Sequence, residues 1–365
     1  MEQLIKYSVG IDISKDTFHT SILAMSGDGE LKVKASHSFD NKPNGFKEFH
    51  QWVKKHSKRE APTSFTMEAT GVYYESLAWH LYGLGCDVAV VLPTKAKNYM
   101  RSIGYKTKND KIDAKGLAQY GGQQKLRLWK PLSPGIAKLR CLTRQHESLV
   151  KLRTSALSQV HSYEHSVYEV KEVVRQLKKM VKFYEQELQI IIRAIEQIVN
   201  EDALLKERFE NICLIKGLSL LSLATIIAET NGFELMNNKR QLTSYAGYDI
   251  IENQSGNHVG RTKISKKGNY RIRRILHMPS LVAVKHENLF DKLYKRVYDK
   301  SGVKMKGYVA VQRKMLQLVY FLWKNNEAYK ANPQNTSGND EPKPFFPLDS
   351  KHLKKKVAQD VLGLH

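Results

Sequence analysis

Four carboxylates stand out in a chain that carries 59 Lys and Arg against 36 Asp and Glu. Asp12 lies near the end of the apolar run Tyr7-Ser-Val-Gly-Ile-Asp-Ile-Ser14, and Glu68 near the end of Ser64-Phe-Thr-Met-Glu-Ala-Thr70. Asp110 and Asp113 sit one helical turn apart in Lys106-Thr-Lys-Asn-Asp-Lys-Ile-Asp-Ala-Lys115. Carboxylates on neighbouring strands, joined by an i, i+3 pair on one helix face, offer hard oxygen ligands. Two Mg²⁺ or Mn²⁺ ions held roughly 3.5–4 Å apart need such a set, one ion activating an attacking oxygen and the other stabilising the leaving oxygen. In a basic protein the substrate of such a site is a phosphodiester.

Each carboxylate also has a plainer reading. Asp12 could be a strand-end turn residue, and Glu68 could pair with a lysine. Asp110 could be the N-cap of a helix. Asp113 could simply favour the helix dipole. Their order and the elements that carry them favour the metal reading. Lys106, Lys108, Lys111 and Lys115 then fit a phosphate path beside the metals; taken one at a time, they read as a solvated basic face.

These residues need a sheet and a helix to position them. Segments 7–14, 17–24 and 32–39 read as three strands in an antiparallel meander, with a glycine-rich turn between the second and third. A helix over 43–55 carries Phe46, Phe49, Trp52 and Val53 on one stripe. A strand at 64–70, a helix at 72–84, a strand at 87–92 and helical signals from Lys95 and Asp110 follow. The order β-β-β-α-β-α-β-α matches a ribonuclease H-like (RuvC-like) domain, assigned to residues 1–130. The segment 131–205 is free of glycine after Gly135 and of proline after Pro134. Leu142, Leu149, Ala156 and Tyr163 recur at seven, with Leu152 and Val160 between. Leu177, Val181, Leu188, Ile191, Ile195 and Ile198 continue the pattern, so two long helices form an antiparallel hairpin or a coiled coil. Residues 206–330 read as a helical C-terminal domain, with helices at 239–246, 269–285, 289–300 and 306–325. A helix–Gly–helix pattern spans 212–228. Residues 331–365 read as a mobile tail whose Lys354-Lys-Lys356 cluster could touch nucleic acid. The overall class is α/β plus all-α.

The formal charge of +23 over 365 residues points to a polyanionic partner, and 41% hydrophobic content supports a substantial core. No stretch approaches a membrane span, and no signal-peptide pattern opens the chain. Cys86, Cys141 and Cys213 form neither a disulfide framework nor a zinc spacing. A cytoplasmic, nucleoid-associated location is expected.

A second constellation runs from residue 244 to 276. It combines a Ser-Gly turn, a Gly-Arg turn, a Lys-Lys-Gly-Asn helix start and three arginines in the helix that follows. Arg261, Lys263, Lys266, Lys267, Arg271, Arg273 and Arg274 are the candidate phosphate contacts. Ser255 lies in this basic loop. On residue type alone it reads as a turn serine; as a nucleophile it would need a stabilised alkoxide or a nearby base.

Gly10-Ile-Asp-Ile-Ser14, Met67-Glu-Ala-Thr-Gly71 and Lys108-Asn-Asp-Lys-Ile-Asp-Ala114 resemble the first domain of the DEDD-type insertion-sequence transposases. That family is related to the Piv-type DNA invertases and includes the bridge-RNA-guided recombinases. Tyr245-Ala-Gly247, Gln254-Ser-Gly256, Gly260-Arg261, Ile264-Ser-Lys-Lys-Gly-Asn269 and Arg273-Arg274 resemble the family's second domain, in the family's order. The resemblance covers residues 7–330. It implies that Asp12, Glu68, Asp110 and Asp113 hold Mg²⁺ or Mn²⁺, and that Ser255 attacks a DNA phosphate to form a 5′-phosphoserine link. It further implies donor and target DNA as partners, a noncoding guide RNA, and a dimer or tetramer whose subunits share each site. The chain departs from the family at Lys216-Gly-Leu-Ser219, where Pro-Gly-Ile-Gly is common. The other readings are a Holliday-junction-type nuclease that activates water, an invertase without a guide, and a non-catalytic nucleic-acid-binding protein.

Overall fold

The computed structural model describes residues 3–58, 61–105, 109–168, 170–234, 236–256, 258–260 and 262–330. Lys106, Lys108, Arg261 and the 331–365 segment lie outside the described residues. The chain divides into two compact units, Met1–Pro131 and Leu132–His365.

The first unit opens with β1 (Leu4–Ile13), β2 (Thr17–Ser26) and β3 (Leu31–Asp40), then α1 (Pro43–His56), β4 (Thr63–Glu68), α2 (Glu75–Gly83), β5 (Asp87–Val91), α3 (Pro93–Ser102) and α4 (Asp110–Gln123). One sheet runs in the order β3-β2-β1-β4-β5. The first three strands are antiparallel, while β4 and β5 lie parallel to β1. This is the ribonuclease H-like arrangement that the element order predicts.

The period of two along β1 decides which side chains meet which layer. Val9, Ile11 and Ile13 are buried with Phe65 and Met67 of β4, Phe46 and Phe49 of α1, and Leu77 and Leu81 of α2. Ser8, Gly10 and Asp12 therefore face the opposite side, which α4 covers. The Ser8 hydroxyl donates to the Ala118 carbonyl (2.7 Å), and the Lys6 ammonium to the Gly121 carbonyl (3.3 Å). Helix α4 lies flat there because the residues that meet the sheet, Ala114, Ala118 and Gly121, are small. A β-carbon on Gly10 would fall within contact distance of the Ala114 carbonyl oxygen and the Ala118 nitrogen, so only glycine fits.

The second unit begins with α5 (Pro134–Glu164) and α6 (Lys171–Glu201), then α7 (Ala203–Cys213), α8 (Leu220–Thr230) and α9 (Lys239–Tyr245). Short strands β6 (Ile250–Ile251), β7 (Gln254–Ser255), β8 (His258–Val259) and β9 (Lys263–Ile264) follow. The chain continues as α10 (Tyr270–Ile275), α11 (His277–His286), α12 (Asn288–Ser301) and α13 (Lys304–Asn325). Helices α5 and α6 form an antiparallel hairpin. Ala156 and Val160 pack with Val174, Leu177 and Val181 at one end, and Leu149 with Leu188 and Ile191 nearer the other. The heptad reading is corrected at Leu152 and Tyr163, which are exposed at 49% and 39%. Leu139 and Thr143 take the buried stripe at the start of α5 instead. The expected single helix over 269–285 is two helices meeting at Leu276, because Pro279 in the first turn of α11 has no amide to continue the ladder. The strands of 250–264 were absent from the expectation, since strands of two residues are too short to show a hydrophobic period.

Because α4 rests on Gly10 by its backbone, Gly10→Ala is expected to cost about 3 kcal/mol or more. The urea midpoint of the protein reads this. Gly83→Ala, where a β-carbon meets open space at the end of α2, is the matched control and leaves the midpoint unchanged or raised.

Candidate active site

The first set of functional side chains lies at the C-terminal ends of β1 and β4. Parallel pairing reaches Ile11↔Met67, so Asp12 and Glu68 are the next residues on adjacent strands and share the α4 face. Helix α4 runs antiparallel to β1: Gly121 lies near Ser8, Ala118 and Ala114 near Gly10. Its first turn, with Asp110 and Asp113, is thereby carried to the Asp12 end of the strand. A separate contact fixes this placement. Asp12 pairs across the sheet with His19 of β2, and His19 Nε2 lies 3.3 Å from Asp110 Oδ2.

Helix α4 starts where it does because Asn109, not Asp110, is its N-cap. The Asn109 side chain accepts from the Ile112 amide at 2.9 Å. Asp110 is left outside the capping role, with 66% of its side chain exposed. Glu68 is half-buried and accepts from the Thr70 hydroxyl at 2.9 Å, and among the described residues no lysine pairs with it. All four carboxylates thus share one end of one sheet face. Their donor set, oxygens without sulfur, suits a hard divalent cation. Among the described residues no three acidic, His or Cys side chains stand close enough to grip an ion as they are, and Asp110 is drawn to His19. His19 was not among the expected residues; its only sequence signal was its place opposite Asp12 in a meander.

The second set is in the C-terminal unit. Ser255 ends β7 and pairs with His258 across a tight turn, and its side chain is exposed. Gly256 takes φ of +55°, the left-handed conformation that begins such a turn. A second ladder, Ile250↔Ile264 and Ile251↔Lys263, closes the base. Residues 250–264 thus form one hairpin with Ser255 near its tip.

The predicted phosphate contacts divide into two groups. Lys111, Lys263, Lys266 and Lys267 are exposed. The three arginines have protein partners. Arg271 Nε and Arg274 Nη1 each lie 2.8 Å from a Glu147 oxygen, and Lys151 Nζ joins them at 2.8 Å. Arg273 donates to the carbonyls of Ala246 (2.7 Å) and Lys266 (3.1 Å). Burial pushes the Glu147 carboxyl up, but Lys151, Arg271 and Arg274 outweigh it and hold the group below the usual range. Arg144, Glu147 and Glu229 were also missed. The signal for Glu229 was available: it is the one charged residue of a mostly apolar helix, where an unpaired charge is costly.

Residues 9–169 match the model of a protein family described as a transposase, and residues 210–295 match one described as the transposase IS116/IS110/IS902 family. A pilin gene-inverting protein of Moraxella bovis is 28% identical over 89% of this chain and 98% of its own. A transposase for insertion sequence element IS1111A of Coxiella burnetii is 21% identical over 68% of this chain and 74% of its own. Among solved structures, Thermus thermophilus RuvC is similar over 34% of this chain and 99% of its own, with 15% identity and a TM-score of 0.27.

His146 lies beside the Glu147 cluster. Burial, with the charges of Arg153 and Arg274 added, pushes its imidazole from 6.5 down to about 4. The unfolded chain therefore takes up a proton that the folded chain resists. Stability is expected to fall as pH drops from 6.5 toward 4, and His146→Leu should flatten that part of the profile. Thermal melts across this window provide the measurement.

Proposed function

The chain belongs to the IS116/IS110/IS902 family of transposases, and from that premise we propose that it is a metal-dependent DNA recombinase with Ser255 as its nucleophile. One observation carries the proposal: the seating of α4 on Gly10, which brings Asp110 and Asp113 to the strand ends that hold Asp12 and Glu68. Four carboxylates at one end of one sheet face offer the hard oxygen ligands that a divalent cation takes.

In this reading Asp12, Glu68, Asp110 and Asp113 would hold Mg²⁺ or Mn²⁺. Such ions polarise a phosphodiester and stabilise charge on the leaving oxygen. Asp110 would leave its contact with His19 to join the other three. In the C-terminal unit the hairpin tip presents the Ser255 hydroxyl to solvent, where a DNA backbone can reach it. The serine oxygen attacks phosphorus, the Oγ–P bond forms as the P–O3′ bond breaks, and a 5′-phosphoserine and a free 3′-hydroxyl result. The serine gives up its proton and the 3′-oxygen takes one up. Rejoining is the same exchange in reverse, with another strand's 3′-hydroxyl as the attacking group. Exposed Lys263, Lys266 and Lys267 lie along the same hairpin and its exit, and are assigned to the DNA backbone.

The proposal extends to donor and target DNA, a noncoding guide RNA and an oligomer of this chain, as the family resemblance implies. Within the same chemistry, DNA inversion without a guide is the second reading. It is favoured by the likeness to the pilin gene-inverting protein, which spans 98% of that relative.

Ser255→Ala is expected to abolish covalent capture of a DNA strand while leaving DNA binding intact. Asp12→Asn and Glu68→Gln should each lower strand exchange by about 100-fold or more, and chelation followed by Mg²⁺ should remove and restore activity in the unaltered protein. A gel that separates free DNA from protein-linked DNA reads all three. Strand exchange that survives Ser255→Ala would point to water activation by the carboxylates instead.

A further inference from the structure

Glu229, in the last turn of α8, is only 2% exposed and has no part in the chemistry above. It is buried in a helix that carries no other charge, so an ionised carboxylate persists there only if its oxygens are satisfied. They are. Oε1 accepts from Arg144 Nε at 2.7 Å; Oε2 accepts from Arg144 Nη2 at 3.1 Å and from Asn269 Nδ2 at 2.7 Å. Burial pushes the carboxyl up, and the bonds from Arg144 and Asn269 outweigh that, so the group is held below the usual range and stays charged. One turn earlier on α5, Arg140 donates twice to the Ala228 carbonyl, at 3.0 and 2.8 Å. Helix α5 therefore grips the end of α8 at two levels.

What Glu229 holds on its other side is the root of the Ser255 hairpin. Asn269 lies just after the hairpin and Tyr245 just before it. The Asn269 side chain bonds the Glu229 carboxylate, and the Tyr245 hydroxyl donates to the Glu229 carbonyl at 2.7 Å. The two roots are tied to each other as well, since the Asn269 amide donates to the Tyr245 carbonyl at 2.7 Å. Above them the segment closes like a zip. Lys266 N donates to Gly247 O (3.1 Å), Ser265 N to Asp249 O (2.7 Å) and Gly260 N to Asn253 O (2.7 Å). Residues 250–256 are exposed, so packing does not orient that strand of the hairpin. Its direction is set near its root, where Ile264 of the return strand packs against the core and the Glu229 carboxylate holds Asn269, and an angular error there grows along the arm toward the tip.

We propose that Glu229 is a positioning residue for Ser255: its buried carboxylate holds Asn269 at one root of the 250–264 hairpin, its backbone carbonyl holds Tyr245 at the other, and the carboxylate bond aims the serine. The proposal rests on the reading of Ser255 as nucleophile. It also explains why a buried charge is kept where an apolar side chain would pack as well: the carboxylate accepts from Arg144 and Asn269 at once, which no apolar group can do.

Two variants test it in the full chain. Glu229→Gln keeps the shape and removes the charge. Asn269→Ser keeps the N-cap of α10, which Asn269 Oδ1 makes to the Arg271 and Ile272 amides, and removes the link to Glu229. Hydrogen exchange is followed at Gly260, Ser265 and Lys266, with the amides of α7 and α8 as internal reference. Covalent capture is measured at saturating DNA, and half-saturation separately. The expected result is faster exchange confined to 247–266 and capture lower by about 10- to 100-fold, with half-saturation shifted by less than about twofold. Unchanged exchange in the hairpin, or exchange rising equally in α7 and α8, overturns the proposal, because Glu229 would then be an ordinary part of the core. Ser255→Ala runs in parallel: if that variant still captures DNA, the serine reading fails, and the exchange data alone decide whether Glu229 anchors the hairpin.

Discussion

Helix α4 crosses the sheet with its backbone against Gly10, closer than any side chain on that residue would permit. That approach needs small residues on both surfaces, and Ala114, Ala118 and Gly121 provide them on the helix. It sets the angle and the height of α4, and with them the position of its first turn. Asp110 and Asp113 reach the strand ends of Asp12 and Glu68 only because the helix lies this low. The buried layer on the other side of the sheet, where Ile11 and Met67 meet α1 and α2, holds the strands that receive it. Apolar burial on one face thus fixes the strands whose ends carry the carboxylates on the other.

The C-terminal unit uses acidic residues in the opposite way. Glu147 and Glu229 are neutralised by arginine and act as pins between helices. Glu147, on the same helix as Arg144 and one turn on, holds Arg271 and Arg274, while Glu229 holds Asn269. The start of α10 is therefore fixed from two sides, and the hairpin that precedes it inherits that fixation. A high positive charge is consequently a poor guide to which cations meet nucleic acid. Arg271, Arg273 and Arg274 stand in a basic run yet have partners within the protein, whereas the nearby Lys266 and Lys267 face solvent. Arginine suits this pinning because its planar fork satisfies two oxygens at once.

Much of the first unit was legible in the residues. Alternation of Val9, Ile11 and Ile13 with Ser8, Gly10 and Asp12 announces a strand with two different faces, and the helix over Pro43–His56 follows from its Phe and Trp stripe. The four carboxylates could be picked out because acids at strand ends and at a helix start are conspicuous in a basic chain. Less was legible beyond residue 131. A seven-residue spacing suggested buried positions at Leu152 and Tyr163, but a hairpin of two helices buries one narrow stripe on each, and those two fall outside it. The 250–264 strands were invisible because their pairing is made by backbone groups, which leave no trace in side-chain pattern.

The sequence by itself determined the local choices: the strand period that turns Asp12 away from Ile11 and Glu68 away from Met67, the Asn109 cap that starts α4, and the glycine that begins the turn after Ser255. Those depend on a residue and its near neighbours. Tertiary structure alone decided which distant groups meet. It set His19 against Asp110, separated in sequence by 91 positions (110 − 19), and it joined Glu229 to Arg144 and Asn269 from two other segments. Such pairings arise from how helices and strands pack as bodies, and no spacing rule along one chain encodes them.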